Sequence, residues 1–201
     1  MEKPKLLIVA GPNGSGKTSV TSKILKHNWI DGCEYINPDI IAKEVFGDWN
    51  SPDAVNKAVR YAAAAREKCI ANGSSLIFET VLSAPDKISF IQQAKQEGYF
   101  IRLFFIGTAN PQINAARIAF RVMTGGHDVP TQKIISRYYK SITNAALLVS
   151  VVDRLYVYDN SINNAFPQLL FRTNNGKLVK QYAPIPDWAS IIFQAIKSID
   201  N

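Results

Sequence analysis

One stretch near the N-terminus constrains this chain more than any other: Gly11-Pro12-Asn13-Gly14-Ser15-Gly16-Lys17-Thr18. It follows an apolar run, Leu6-Leu7-Ile8-Val9-Ala10, and leads into a segment of helical character. A strand, a glycine-rich loop closing on Gly-Lys-Thr, and then a helix form the setting in which backbone N–H groups wrap a β-phosphate. The positive end of the helix adds to the attraction. Glycines at 11, 14 and 16 permit backbone conformations and a closeness of approach that a Cβ would forbid. Lys17 can reach the β/γ-phosphates, and the Thr18 hydroxyl can ligate Mg²⁺. The candidate nucleotide-binding residues are therefore Gly11, Pro12, Asn13, Gly14, Ser15, Gly16, Lys17, Thr18 and Ser19. The dinucleotide fingerprint fails, because Ser19 stands where a third glycine is wanted.

The rest of the chain alternates in a way that suits this loop. Strands are expected at 6–10, 34–36, 76–80, 99–106 and 155–158, with helices between them at 17–27, 38–46, 51–71, 85–97, 111–123 and from a glycine-containing break at 125–130 to 149. Asn37-Pro38-Asp39 reads as an N-cap, a first-position proline and a first-turn acid. Thr173-Asn174-Asn175-Gly176 between two short runs signals a hairpin, and a last helix follows Pro184-Ile185-Pro186-Asp187. The fold class is α/β: a parallel five-stranded sheet with helices on both faces, a helical lid, and a C-terminal antiparallel hairpin plus helix. At 201 residues the whole chain, 1–201, fits a single domain with the lid at about 110–149.

Composition narrows the class. Apolar residues make up 47% and charged residues 19%, as in globular proteins and unlike disordered ones. The net charge of +7 suits a phosphorylated small molecule and also nucleic acid, but the cations are scattered without a run, which speaks against a nucleic-acid partner. Cys33 and Cys69 lie far apart with no histidine near them, so zinc is not expected and free thiols point to a reducing, cytoplasmic setting. No apolar run approaches membrane-span length.

In an open parallel sheet, ligands bind beyond the carboxyl ends of the strands. The phosphate loop, Asp39, Glu79 and Thr108 all fall there by topology. Asp39 is the candidate base for an acceptor hydroxyl, or simply a first-turn acid complementing a helix dipole. Glu79 could hold Mg²⁺ through water or bind an acceptor hydroxyl. Arg117 and Arg121, four apart on one helix, flank an apolar arc of Ile113, Ala116, Ala119, Phe120 and Met123. Arg137 borders the arc Ile134, Tyr138, Ile142 and Ala145 of the next helix. Two such helices joined by a glycine-containing break would make a lid over a triphosphate, with His127 in the break as a ligand contact or a turn residue. Asp159-Asn160-Ser161, after the last core strand, lies at the same sheet edge, where the adenine could sit. The chain has no Asn-Lys-x-Asp guanine signature, and no hydrophobic strand ends in an Asp-Glu pair.

Together the loop residues 11–19, Asn37-Pro38-Asp39, Phe78-Glu79-Thr80, and Gly125-Gly126-His127-Asp128-Val129-Pro130 with Arg137-Tyr138 resemble the zeta-toxin family of P-loop kinases, most closely its small stand-alone branch. The resemblance implies a nucleotide-kinase-like fold and transfer of the γ-phosphoryl of ATP, with Mg²⁺, to a sugar hydroxyl of a nucleotide sugar such as UDP-N-acetylglucosamine. It implies Lys17 and Thr18 on the ATP phosphates and metal, Asp39 as base, and Glu79 and Thr80 on the acceptor. Arg121 and Arg137 would be lid arginines, with Arg117 a third. An antitoxin protein is a further partner that the resemblance allows. The larger toxins carry a longer acceptor-binding region and lid arginines at other spacings, which leaves the acceptor open. A rival reading of the same loop is a nucleotide-dependent switch or a nucleic-acid-stimulated ATPase.

Overall fold

A computed structural model describes residues 3–47, 51–125 and 128–197. Strand β1 (Lys5–Ala10) is buried along nearly its whole length, with Leu6, Ile8, Val9 and Ala10 at 0% exposure. A strand that hides both faces must lie inside a sheet with cover on each side. β1 is flanked by β3 (Leu76–Thr80) and β4 (Phe100–Gly107), both parallel to it. β2 (Glu34–Ile36) and β5 (Arg154–Asp159) extend the parallel core on either side.

The hairpin, β6 (Gln168–Asn174) and β7 (Lys177–Gln181), does not stand apart. β6 pairs antiparallel with β5, which makes one seven-stranded sheet in the order β2-β3-β1-β4-β5-β6-β7. Its turn is Asn175-Gly176, both at positive φ (47° and 76°), the two-residue geometry that matches strand twist.

Among the described residues, seven helices follow the expected alternation: α1 (Lys17–Ile24), α2 (Pro38–Glu44), α3 (Pro52–Asn72), α4 (Pro85–Gln96), α5 (Pro111–Met123), α6 (Thr131–Leu147) and α7 (Ser190–Lys197). Four of them begin on proline, whose fixed φ and missing N–H cost nothing at a first position. α1 ends three residues before the expected 27. The amides of Lys26 and His27 bond back to Lys23 and Ile24, a tightened last turn that runs into a 3₁₀ turn at Asn28–Ile30.

The two sheet faces are unequally covered. One carries the main core, where Leu6, Ile8, Phe78, Leu103, Phe105, Leu155 and Val157 meet side chains of α3, α4, α6 and α7. The other holds Leu7, Val9, Ile77, Phe104 and Ile106, and α1 supplies Val20 and Ile24 to it. The C-terminal segment is fastened through Trp188. Its ring lies against Phe105, 6.2 Å between centroids, and its indole N–H donates to the Asp159 carboxylate at 3.2 Å. Among the described residues no helix is long and apolar enough to cross a membrane.

Trp188 also fixes the end of β4. A Cβ built on Gly107 would lie 2.2 Å from the buried indole. Gly107→Ala is expected to cost about 1–3 kcal/mol by overpacking. Urea unfolding followed by tryptophan fluorescence should show a lowered midpoint with an unchanged slope.

Candidate active site

The phosphate loop is held in shape from outside. Gly11 and Gly14 have φ of 149° and 75°, and a Cβ would fall 2.1 Å from the Ile106 carbonyl and 2.6 Å from the Asn114 carbonyl respectively. The loop is therefore wedged between the end of β4 and the first turns of α5. Asn114, fully buried, donates its amide to the Asn13 carbonyl at 2.6 Å and pairs through its Oδ1 with the Thr108 hydroxyl. Asn160 donates to the Ser15 carbonyl at 2.8 Å, while its own N–H bonds the Gly107 carbonyl at 2.9 Å. Tyr138 of α6 donates to the Thr108 carbonyl at 2.6 Å. The helices expected to form a lid are thus bolted at their roots to the loop and to the end of β4. Gly126 and His127 lie outside the described residues.

Lys17 occupies the mouth of the loop. Its Nζ donates to the Gly11 and Pro12 carbonyls at 2.9 and 3.0 Å. Burial lowers its pKa to about 8, opposed by the charges of Glu79 and Asp39 and reinforced by that of Arg121. Those four charged groups therefore share one electrostatic neighbourhood. The Ser15 hydroxyl, on a residue 0% exposed, has no hydrogen-bond partner among the described residues. A buried orphan hydroxyl, a lysine resting on backbone carbonyls, and glycine cradles that a Cβ would fill are what a phosphate site offers. Thr18 and Ser19 are exposed at the start of α1, so the Thr18 hydroxyl is open to a metal ion on the phosphates.

The acceptor side is built from β2 and β3. Asn37 caps α2 as the sequence predicts, accepting the Asp39 N–H at 2.9 Å. The same side chain donates to the Tyr35 hydroxyl at 2.8 Å, and Tyr35 donates to Glu79 Oε1 at 2.8 Å. Burial and the neighbouring Glu79 and Asp39 charges raise the Tyr35 pKa, although the bond from Asn37 works the other way. A protonated tyrosine thus orients Glu79. Asp39 itself is exposed, in the first turn of α2. The Thr80 hydroxyl accepts the Leu82 N–H at 3.0 Å, which leaves its O–H to donate, and the residue is 8% exposed. Leu82, fully buried, sits at φ 58°, and its carbonyl accepts from Asn144 of α6 at 2.9 Å. A non-glycine residue held left-handed costs on the order of 1 kcal/mol or more, and such strain gathers at functional loops.

The apolar arc read on α5 is not its buried face: Phe120 and Met123 are 69% and 84% exposed. α5 instead buries Asn114 and Ile118, because its first half packs on the phosphate loop through hydrogen bonds and on α6 through Ile118 and Ile134. Arg117 and Arg121 lie three positions beyond those two residues, on the same helix face. Arg117 bonds Asn163 at 2.9 Å and reaches the Gly14 carbonyl at 3.5 Å. Arg121 acts on Lys17 electrostatically. The α6 arc was read correctly, with Ile134, Tyr138, Ile142 and Ala145 all buried, and Arg137 reaches the Asn13 side chain at 3.5 Å.

Sequence reasoning missed Asn114, Tyr35 and the bracing role of Asn160. Asn160 had a signal: it follows the last parallel strand, at the edge where ligands bind, though its task is to hold the loop. Asn114 had a weaker one, a polar residue four before Ile118 on a helix entering from that edge.

This is the fold and loop of a P-loop kinase, and the comparisons with known proteins name the family. A zeta toxin family model matches residues 1–168, and the chain belongs to that family. It is 31% identical over 134 residues to an uncharacterized protein of Haemophilus influenzae, covering 67% of this chain and 92% of that one. Among solved structures it is similar to the AvrRxo1-ORF1:-ORF2 complex. The native form has a TM-score of 0.67 at 18% identity, and the form with ATP 0.66 at 16%, each covering 98% of this chain and 76% of the other. It is also similar to a structure of the PezAT toxin–antitoxin system of Streptococcus pneumoniae, with TM-score 0.58, 14% identity, and coverage of 100% and 89%.

Asn114→Ala removes the amide that joins the loop to Thr108, taking a partner from the Asn13 carbonyl and leaving the buried Thr108 hydroxyl only its 3.3 Å bond to the Asn110 carbonyl. It should cost about 1–3 kcal/mol and weaken ATP binding, measured by thermal shift and calorimetry. The lowered pKa of Lys17 gives a second expectation. The free lysine is protonated below about pH 8 and neutral above it. Phosphate oxygens favour the charged form, so ATP binding near pH 8 to 9 should take up a proton. Calorimetry in buffers of different ionisation enthalpy should detect that uptake, and it should fade well below pH 8, where the free lysine is already protonated.

Proposed function

We propose that the chain transfers the γ-phosphoryl of ATP to a hydroxyl of a small molecule, a nucleotide sugar such as UDP-N-acetylglucosamine being the acceptor best in keeping with the family. The observation that carries this reading is the convergence at the loop of Lys17, resting on the Gly11 and Pro12 carbonyls, and Glu79, held by the Tyr35 hydroxyl at the end of the neighbouring strand, with the charges of Asp39 and Arg121 also acting on Lys17. Transfer to an alcohol needs a base and a group to hold the acceptor, and Asp39 and Glu79 supply two carboxylates for those roles.

In this reading Lys17 leaves the Gly11 and Pro12 carbonyls for the β/γ-phosphate oxygens, and the backbone of residues 11–19 wraps the β-phosphate. Mg²⁺, held by the Thr18 hydroxyl, would supply charge neutralisation on the β- and γ-oxygens. Glu79, aimed by Tyr35, accepts a hydrogen bond from the acceptor. Asp39 takes the proton of the attacking hydroxyl as its oxygen bonds to the γ-phosphorus and the bond to the bridging oxygen breaks, releasing ADP. Arg121 and Arg137 stabilise the negative charge on the migrating group, and Arg117 holds the loop side of the nucleotide. Thr80 contributes by shaping the turn that follows Glu79. An antitoxin is proposed as a protein partner, supported by the toxin–antitoxin system to which the Streptococcus pneumoniae structure belongs.

The test is incubation with labelled ATP and a nucleotide-sugar panel, with mass detection of a new phosphoester. Asp39→Ala should lower turnover by about 10²–10⁴-fold while leaving ATP binding intact, the range for loss of a general base. Unchanged turnover would remove Asp39 from that role. Lys17→Ala should lose binding and turnover together.

A further inference from the structure

The sheet face that α1 covers beside β1 continues past β4, and the strands there alternate. In β5, Leu155 and Val157 are 0% exposed on the core side, while Arg154, Tyr156 and Tyr158 point the other way and are half-buried. Register then assembles this outer face from residues far apart in the chain. Arg102 stands beside Arg154, Phe104 beside Tyr156, Tyr156 beside Arg172, and Arg172 beside Lys180. None of the residues that share this face on β4 to β7 is acidic. Phe104 and Tyr156 are stacked, 4.9 Å between centroids and 9° between planes. Phe104 is 5% exposed, so Tyr156 is the outer member of the pair. A groove of about 260 Å³ opens where α1 meets this face, lined by Phe104, Tyr156, Tyr158 and Lys23 among others.

We propose that this sheet face binds a single-stranded polynucleotide, with Arg154, Arg172 and Lys180 on the phosphates and Tyr156 and Tyr158 stacking on the bases. The pairing of chemistries selects this occupant. A row of cations without acids calls for a polyanion. Aromatic rings set beside those cations on a sheet offer stacking that unpaired bases can use and that a duplex, with its bases already stacked, cannot. An acidic protein would meet the cations but leave the rings without a matching surface. The scatter of cations along the chain speaks against nucleic acid only until the sheet is assembled, since β4, β5, β6 and β7 bring positions 102, 154, 172 and 180 side by side. The face lies outside the phosphate loop, so the proposal stands independently of the kinase reading.

The test is fluorescence anisotropy of a labelled oligouridylate with the full chain, at increasing salt. Three phosphate contacts predict a slope of log K against log salt of about −2. Arg154→Gln and Arg172→Gln should each weaken binding about fivefold or more and flatten the slope by about 0.7. Tyr156→Leu should weaken binding with the slope unchanged, and Tyr156→Phe should retain it. If either arginine variant fails to fold, the exposed Lys180→Ala carries the same expectation. Binding of a fluorescent ATP analogue should be unaffected in all of them. No binding at about 100 µM protein in low salt overturns the proposal. So does polyglutamate competing as well as the oligonucleotide, which would assign the face to an acidic protein, or a set of variants that bind like the parent chain.

Discussion

The grip of Asn114 and Asn160 on the phosphate loop is the constraint on which the rest of the site depends. A glycine-rich loop wide enough to wrap a phosphate has no side chains of its own to hold it open in that shape. Here its carbonyls are taken by two asparagine amides from opposite sides, one on α5 and one just after β5. The same two residues bond the end of β4, through the Thr108 hydroxyl and the Gly107 carbonyl, so the loop, the central strand and the first turn of α5 form one hydrogen-bonded unit.

That unit has an electrostatic consequence. Lys17 is pressed into the loop against two carbonyls in a partly desolvated position, which lowers its pKa, and Glu79 and Asp39 across the cleft only partly restore it. The site is thus short of negative charge at its centre until a phosphate arrives. Glu79 is kept in place for that moment by Tyr35, which Asn37 in turn orients while capping α2 with its other amide atom. One asparagine therefore joins helix initiation to the orientation of a carboxylate one strand away.

The architecture also explains why the two sheet faces differ. The middle of β1 and of β4 is apolar on both faces because both are covered there; β5 alternates because one face is buried in the main core while the other, at Tyr156 and Tyr158, is only partly covered, by the edge of α1. The hairpin extends the alternating half and carries its cations outward. α7 covers the inner side of that half, with Phe193 against Phe171 at 5.2 Å.

Much of this was legible in the chain. The loop and its strand–helix setting, the parallel order, the Asn37 cap, the Asn-Gly hairpin and the buried arc of α6 are local patterns, fixed by backbone conformation, capping and periodicity within a dozen residues. The buried face of α5 was not legible, because its packing is chosen by hydrogen bonds from Asn114 to a loop a hundred residues away and not by the apolar arc that periodicity exposes. Nor were the Tyr35–Glu79 pair, the Thr80 hydroxyl's use by Leu82, or the gathering of Arg102, Arg154, Arg172 and Lys180 on one face. What the sequence determined by itself is a phosphate-gripping α/β chain with carboxylates and arginines at the right sheet edge. Which side chains meet one another was decided only when strand register and helix docking brought together distant residues, since a contact of that kind has no signature in either residue's neighbours.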